Sequence, residues 1–434
     1  MTRNKTFKKR VRDRMAKTGE RYAAARRHLV PSDAPSGTSG DTSGDTSSDT
    51  AGVHAATTAL RILLRHAGHD VPEPALVLAG GGVGIGVFAF RYDEFSSLFL
   101  AGRHLWHDDL AFLTGLARRL DTQLEVRETG GAKKARTDLL EMLEDGPVAA
   151  FVDLGTLGHR GGTEAYYVVT VLSADEDAGT ARIADVAPSP IEVPLDRLKQ
   201  ARAKHRSFKN RLVRIAATPE TLDLEGAISA GLHACVRGFD DPPMKGSNFR
   251  LDGLDTLAKR MRGSGKDAWS ETFPPGPRLW SALASFYEYV ERYGTGGGLM
   301  RSLFASSLSD VAHLGGRDLS PAAEAYAKLG SAWTDAANAA LPDDVPALAE
   351  LRATIDRTYD AYLVHGQDGA DEIAEAQAHR EALLARPFPL PDDAAMRLVH
   401  GLSQHVEALV ELERDALDAL RPAGFGAESD AAAR

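Results

Sequence analysis

Several residue groupings in this chain could do chemistry. His54-Ala55-Ala56-Thr57-Thr58 opens a helical pattern. His54 is a candidate cleft residue or a hydrogen-bonded structural histidine, and Thr57 and Thr58 could lend hydroxyls to a site or cap the helix. Gly80 to Gly86 is nearly all glycine, with an apolar, aromatic run after it. No Gly-Lys-Ser/Thr follows, so it is not a Walker loop. Gly81, Gly82 and Gly84 are read as a close backbone approach beside a cleft, with phosphate cradling as the lesser alternative. Gly294 to Gly298 precedes a predicted helix and Arg301, and could hold an anion at the helix start or make a close contact between domains. His159 lies on the Gly-rich loop GTLGHRGG and could swing into a cleft. His104, His107, Asp108 and Asp109 have helical spacing, but no third converging ligand is visible, so no metal is expected. The single cysteine, Cys235, shares an apolar stripe with Ile228 and Leu232 and is read as core. No cofactor is expected.

These residues need elements to position them. Thr57 to His66 reads as a buried or amphipathic helix and Lys134 to Glu144 as another. Gln123 to Arg127, Val148 to Leu154, Tyr166 to Leu172 and Ala181 to Val186 read as strands, the apolar ones bounded by Gly and Pro. A helix first and strands later predict an α+β domain over 53–218. From Pro219 onward helical periodicity dominates, with helices predicted over Pro219–Phe239, Leu299–His313, Pro321–Leu341 and Val345–His365 among others. That predicts an all-α domain over 219–421, followed by a frayed tail at 422–434.

Length and composition set the frame. At 434 residues the chain has room for about two or three domains. One cysteine excludes a disulfide framework and an iron–sulfur cluster. No apolar run is long enough to span a membrane. The N-terminus lacks the apolar core of a secretory signal, so a cytoplasmic location is expected. The net charge is −10, yet residues 1–30 alone carry 11 Lys/Arg against 2 Asp/Glu. This basic helical arm resembles a short helical module at the N-termini of various actinobacterial proteins. Its expected partner is a carrier protein or another protein's acidic face. Nucleic acid is the weaker candidate, because no base-reading motif accompanies the charge. Residues 31–52 are rich in Gly, Ser, Thr and Asp and read as a disordered linker. Helical faces in excess of what one small domain covers make a homodimer an open expectation.

Two blocks together carry a family resemblance: HAATTALRILLRHAGHDVPEPALVLAGGGVGIGVF at 54–88 and GTGGGLMRSLFASSLSDVAHL at 294–314, with Trp333 downstream. They resemble the butirosin biosynthesis protein H family of specialised metabolism, over roughly 53–415. That resemblance implies a papain-like N-terminal domain followed by a characteristic helical domain. The founding member is an acyltransferase that moves an aminoacyl group from a carrier-protein thioester to an aminoglycoside amine. A cysteine nucleophile follows the histidine at the helix start, a histidine heads a later strand, and a third residue orients it. Here those positions fall on Ala55, on Tyr167 (Tyr166 with a register slip of one) and on Asp185. Alanine cannot attack a thioester, and a tyrosine with an ordinary pKa near 10 is a poor base at neutral pH. Two readings follow. One is a catalytically degenerate homologue that keeps the cleft for an amine, an acyl group or a protein partner. The other is an acyltransferase or amide-forming enzyme using direct transfer, with His54, Tyr167 and Asp185 holding the reactants.

Overall fold

The computed structural model describes residues 50–160 and 165–421. The basic arm at 1–30, residues 31–49 of the linker and the tail at 422–434 lie outside the described residues.

The α+β expectation is met by a six-stranded antiparallel sheet and a helical C-terminal part. Helix α1 (Ala55–His66) and helix α2 (Glu73–Ala79) come first. Strands β1 (Gly86–Arg91) and β2 (Ser96–Ala101) form a hairpin apart from the main sheet. Then come α3 (Asp109–Arg119), β3 (Gln123–Arg127), α4 (Ala132–Glu144), β4 (Val148–Asp153), the short α5 (Leu154–Leu157), β5 (Tyr166–Asp175), β6 (Thr180–Ala184), β7 (Ile191–Pro194), α6 (Leu195–Lys204) and β8 (Leu212–Ala217). The sheet order is β3-β8-β4-β5-β6-β7. Strand β4, VAAFVD, is buried at every position. A strand covered on both faces has no polar side to alternate with, hence its near-continuous apolar run.

One face of the sheet, with Ala149, Phe151 and Val168, shares a core with Ala56, Ala59, Leu60 and Leu63 of α1 and with the helical part. The other face, with Ala150, Val152, Tyr167 and Val169, packs on Leu139 and Met142 of α4, Leu198 of α6 and Tyr362. Successive strand residues point to opposite faces, so Tyr166 and Tyr167 diverge.

The helical part comprises α7 (Leu224–Asp240), α8 (Asp252–Arg262), α9 (Trp269–Thr272), α10 (Pro277–Glu291), α11 (Arg301–Val311), α12 (Ser320–Ala340), α13 (Pro346–His365), α14 (Ala370–Leu384) and α15 (Asp392–Leu420), with a tiny β9–β10 hairpin at 313–318. Two helix starts differ from the periodicity. Helix α7 begins at Leu224 rather than Pro219, because the Asp223 carboxylate accepts the Gly226 N–H at 2.8 Å and so fixes the cap. Helix α11 begins at Arg301 rather than Leu299, because Leu299 and Met300 hold φ of 49° and 71°, outside the right-handed helical region.

Candidate functional site

Helix α1 presents its N-terminus to the site. Its first turn is anchored by Glu73 of α2, a buried carboxylate that sequence reasoning missed. Glu73 accepts the N–H groups of Val53 (3.0 Å) and His54 (3.0 Å), and lies 3.0 and 3.2 Å from the hydroxyls of Thr57 and Thr58. A carboxylate here meets both the orphan donors and the positive end of the helix dipole. Thr57 and Thr58 are thus buried in the anchor and do not face a cleft. No local pattern marks Glu73; its role depends on α2 folding back onto α1.

His54 occupies the residue position just before α1 and is buried. Arg103 Nε donates to His54 Nε2 at 3.0 Å. That puts the ring proton on Nδ1, toward Thr57 Oγ1 at 3.2 Å. Burial, then the Arg103 charge, holds the His54 pKa well below the usual value, so the ring is neutral. With its lone pair engaged, it is a poor base. Arg103 also pairs with Asp109 and lies 4.4 Å from the centre of the Phe112 ring. Ala55, the next residue, is half-buried and packs against the second core.

Across from Ala55 lies a cluster around Asp185, at the end of β6. Tyr167 Oη donates to Asp185 Oδ1 at 2.8 Å, and the Val186 N–H donates to the same oxygen at 2.6 Å. His159 Nε2 (2.8 Å), Tyr362 Oη (2.9 Å) and Arg160 Nη2 (2.7 Å) reach Oδ2. Arg160 Nη2 also donates to Tyr167 Oη at 2.8 Å. Burial alone would raise the Asp185 pKa, but Arg160 and the hydrogen bonds from His159 and Tyr167 override it and hold the carboxyl far below its usual range. Burial lowers the His159 pKa more than Asp185 raises it. Burial also pushes the Tyr167 phenol well above its ordinary value, so it stays protonated. The cluster is an ionised Asp–Arg pair ringed by neutral donors. His159 is therefore a fixed part of the interior and does not swing as a loop residue.

The structure brings His54, Ala55 and Tyr167 to one cavity of about 110 Å³, also lined by Arg103 and Tyr293. Asp185 stands behind Tyr167. Tyr166 lies at the rim of the cavity, but its ring is 57% exposed and packs at 4.2 Å on His205, which is bonded to Asp153 at 3.0 Å. Of the two adjacent strand tyrosines, Tyr167 is the one that reaches Asp185.

Three glycines and Arg301 sit elsewhere. A Cβ on Gly84 would lie 2.3 Å from the His104 backbone nitrogen, and one on Gly82 would lie 2.4 Å from the Phe304 ring. The close approach is to the protein's own interior, and Gly81 faces the Gly231 carbonyl. Arg301 is fully buried and offers no anion site. It donates to the carbonyls of Gly84 (2.8 Å) and Leu299 (2.7 Å) and pairs with Glu413 of α15 at 2.8 Å. Glu413 also accepts the Trp333 indole N–H. The Gly-rich segment, the hairpin and the helical part are tied together at this guanidinium.

Among the described residues, no group of three or more His, Cys, Asp or Glu could hold a metal. Asp108 caps α3 through the Ala111 N–H, and His104 meets the Cys235 carbonyl. Burial pushes the Cys235 thiol up to about 12, which leaves it inert. No described helix is long and apolar enough to cross a membrane.

Residues 54–186 match the family model described as Butirosin biosynthesis protein H, N-terminal. Residues 196–358 match Domain of unknown function (DUF4872). No curated protein matches the chain. With these two domains in tandem, and the α1, β5 and β6 residues gathered inside the first of them, the chain belongs with the butirosin biosynthesis protein H-like proteins.

Proposed function

We propose that the chain is a catalytically degenerate acyltransferase homologue whose papain-like cleft has become a binding site for a small amine or acyl group. The observation that carries this reading is the meeting of Ala55, at the start of α1, with Tyr167 at one cavity, Tyr167 being bonded to Asp185 behind it. The order helix start, strand start, end of the next strand is that of a Cys–His–Asp/Asn protease-like site. The roles are lost while the positions are kept. Ala55 has no lone pair. Tyr167 stays a protonated phenol, donating to Asp185 and accepting from Arg160, so it cannot serve as the base. The basic segment at 1–30 is the part of the chain suited to recruiting an acidic protein such as a carrier protein.

The test is consumption of an acyl carrier-protein thioester in the presence of an amine, followed by mass spectrometry, together with native mass spectrometry of the full chain from its own cells. No turnover above the uncatalysed rate is expected, with a co-purifying small molecule. Turnover that falls in Tyr167→Phe would replace this reading with direct acyl transfer.

A further inference from the structure

The β1–β2 hairpin carries a row of aromatic rings. Residues two apart on a strand point the same way, so Phe88 and Phe90 share a face, and Phe99 of β2 sits opposite Phe88. The rings touch in turn. Tyr92 stacks on Phe95 at 4.6 Å and meets Phe90 at 6.4 Å; Phe90 stacks on Phe88 at 5.9 Å, and Phe88 meets Trp106 at 5.3 Å. Trp106 and Phe99 lie 4.4 Å apart, and both line the cavity at Ala55. The row thus starts in that cavity and ends at the hairpin turn. Exposure rises along it: Phe88, Phe99 and Trp106 are half-buried, while Phe90 is 47%, Tyr92 49% and Phe95 55% exposed.

The exposed end is held in place. The Tyr92 N–H donates to the Phe95 carbonyl at 2.8 Å and closes the turn. Arg278 of α10 donates to the carbonyls of Tyr92 (3.3 Å) and Asp93 (2.7 Å), and Ser96 Oγ donates to the Thr272 carbonyl at 2.6 Å. A pinned turn cannot fold its rings away from water, and a contiguous aromatic surface kept exposed marks a binding face.

Size and chemistry say what covers it. A large aromatic side chain buries about 150–250 Å², so three half-exposed ones offer roughly 300 Å². A stable protein partner covers about 800 Å² on each side, so the strip is too small for a second copy of the chain. The cavity, at about 110 Å³, has room for only about four waters at roughly 30 Å³ each. It takes one end of a ligand and leaves the rest outside. The polar side-chain atoms of the row are the Tyr92 hydroxyl and Trp106 Nε1, and the latter is buried. Such a strip offers a sugar or a peptide almost nothing to bond and suits an aliphatic chain. From Phe88 to Tyr92 it runs about 13 Å, at roughly 3.3 Å per residue.

We propose that the cavity and the strip form one site for an acyl group with a long unbranched tail. Its carbonyl end enters the cavity beside Ala55, and its tail crosses Phe99 and Trp106 and lies along Phe88, Phe90 and Tyr92. The proposal rests on the reading of that cavity as a ligand site and names the class of ligand.

The experiment titrates the N-methylamides of butanoic, hexanoic, octanoic and decanoic acid into the full chain, below the concentrations at which they self-associate, and follows tryptophan fluorescence. Trp106 is half-buried at the junction of cavity and strip, whereas Trp269, Trp280 and Trp333 are buried. Affinity should rise about twofold per methylene, half the free energy of a fully buried one, and so about 60-fold from the butanoic to the decanoic amide. The double variant Phe90→Ser/Tyr92→Ser should weaken the decanoic amide at least about tenfold and leave the butanoic amide unchanged. Phe90→Ser alone, with about a threefold loss, serves if the double variant does not fold. Ala55→Leu, which fills the cavity, should weaken both amides. Butanoic amide binding with no gain on lengthening would overturn the proposal and leave the cavity reading standing. No binding by any member would overturn the proposal together with the acyl part of that reading. Decanoic amide binding that survives Ala55→Leu would separate the strip from the cavity and overturn the proposal. A dimer in sedimentation that the double variant dissociates would assign the face to a second copy and overturn it too.

Discussion

Two buried carboxylates flank Ala55, and they are satisfied in different ways. Glu73 takes its donors from one short stretch, Val53 to Thr58: backbone N–H groups and threonine hydroxyls, all neutral. Asp185 gathers an arginine, a histidine and two tyrosines from the loop after α5, from β5 and from α13, besides its own neighbour's N–H. The first is a local anchor that fixes the start of a helix. The second is a charged hub that fastens the sheet to the helical part. A local anchor can be weakened without exposing an opposite charge. The hub cannot, because Arg160 would be left buried and unpaired.

That contrast can be broken by measurement. The largest effect is expected for Asp185→Asn, which strands Arg160 and should cost about 3–5 kcal/mol in denaturant unfolding. Glu73→Gln should cost about 1–3 kcal/mol, since it turns an acceptor facing N–H and O–H donors into an amide. If Glu73→Gln costs as much as Asp185→Asn, the distinction between anchor and hub fails. A further effect, small for any one histidine over one pH unit, lies in pH. His54 and His159 both have folded pKa values below the unfolded value, so below about pH 6.5 the unfolded chain binds protons that the folded chain refuses. Stability therefore falls as pH drops from about 6.5, by up to about 1.4 kcal/mol per pH unit for each histidine. His159→Gln should flatten part of that slope; an unchanged slope between pH 7 and 5 would remove His159 from the account. Asp185 acts in the same sense at lower pH, as its depressed pKa gives stability that is lost only in strong acid.

Much of the scaffold was legible in sequence because it is local. The run at Val148, the helix after His54 and the strand at Tyr166 follow from apolar spacing alone. The grouping of Ala55, Tyr167 and Asp185 rested on family resemblance, and the choice between Tyr166 and Tyr167 needed the face of β5. Arg160, Tyr362, Glu73 and Arg103 gave no signal. Tyr362 meets Asp185 across 177 positions, and no periodicity encodes such a contact. By type and place, Arg301 suits an anion site or a contact between domains, and Thr57 and Thr58 suit a cleft or a helix cap. They are polar residues spent inside, on carbonyls and carboxylates that folding would otherwise strand.

Strand β8 has a consequence for how the molecule comes into being. It lies between β3 and β4, yet it is the last strand of the sheet to leave the ribosome. Until residues 212–217 emerge, β3 has no hydrogen-bonded neighbour in the sheet, and the β4 edge at Ala149 and Ala150 waits for Leu212 and Val213. The stretch matched at 54–186 ends before β8, which falls inside the next matched stretch at 196–358. The boundary along the sequence is thus not a boundary in assembly. A gene fragment ending at residue 186 would lack β7 as well as β8, leaving β3 unpaired and the edges of β4 and β6 open to aggregation.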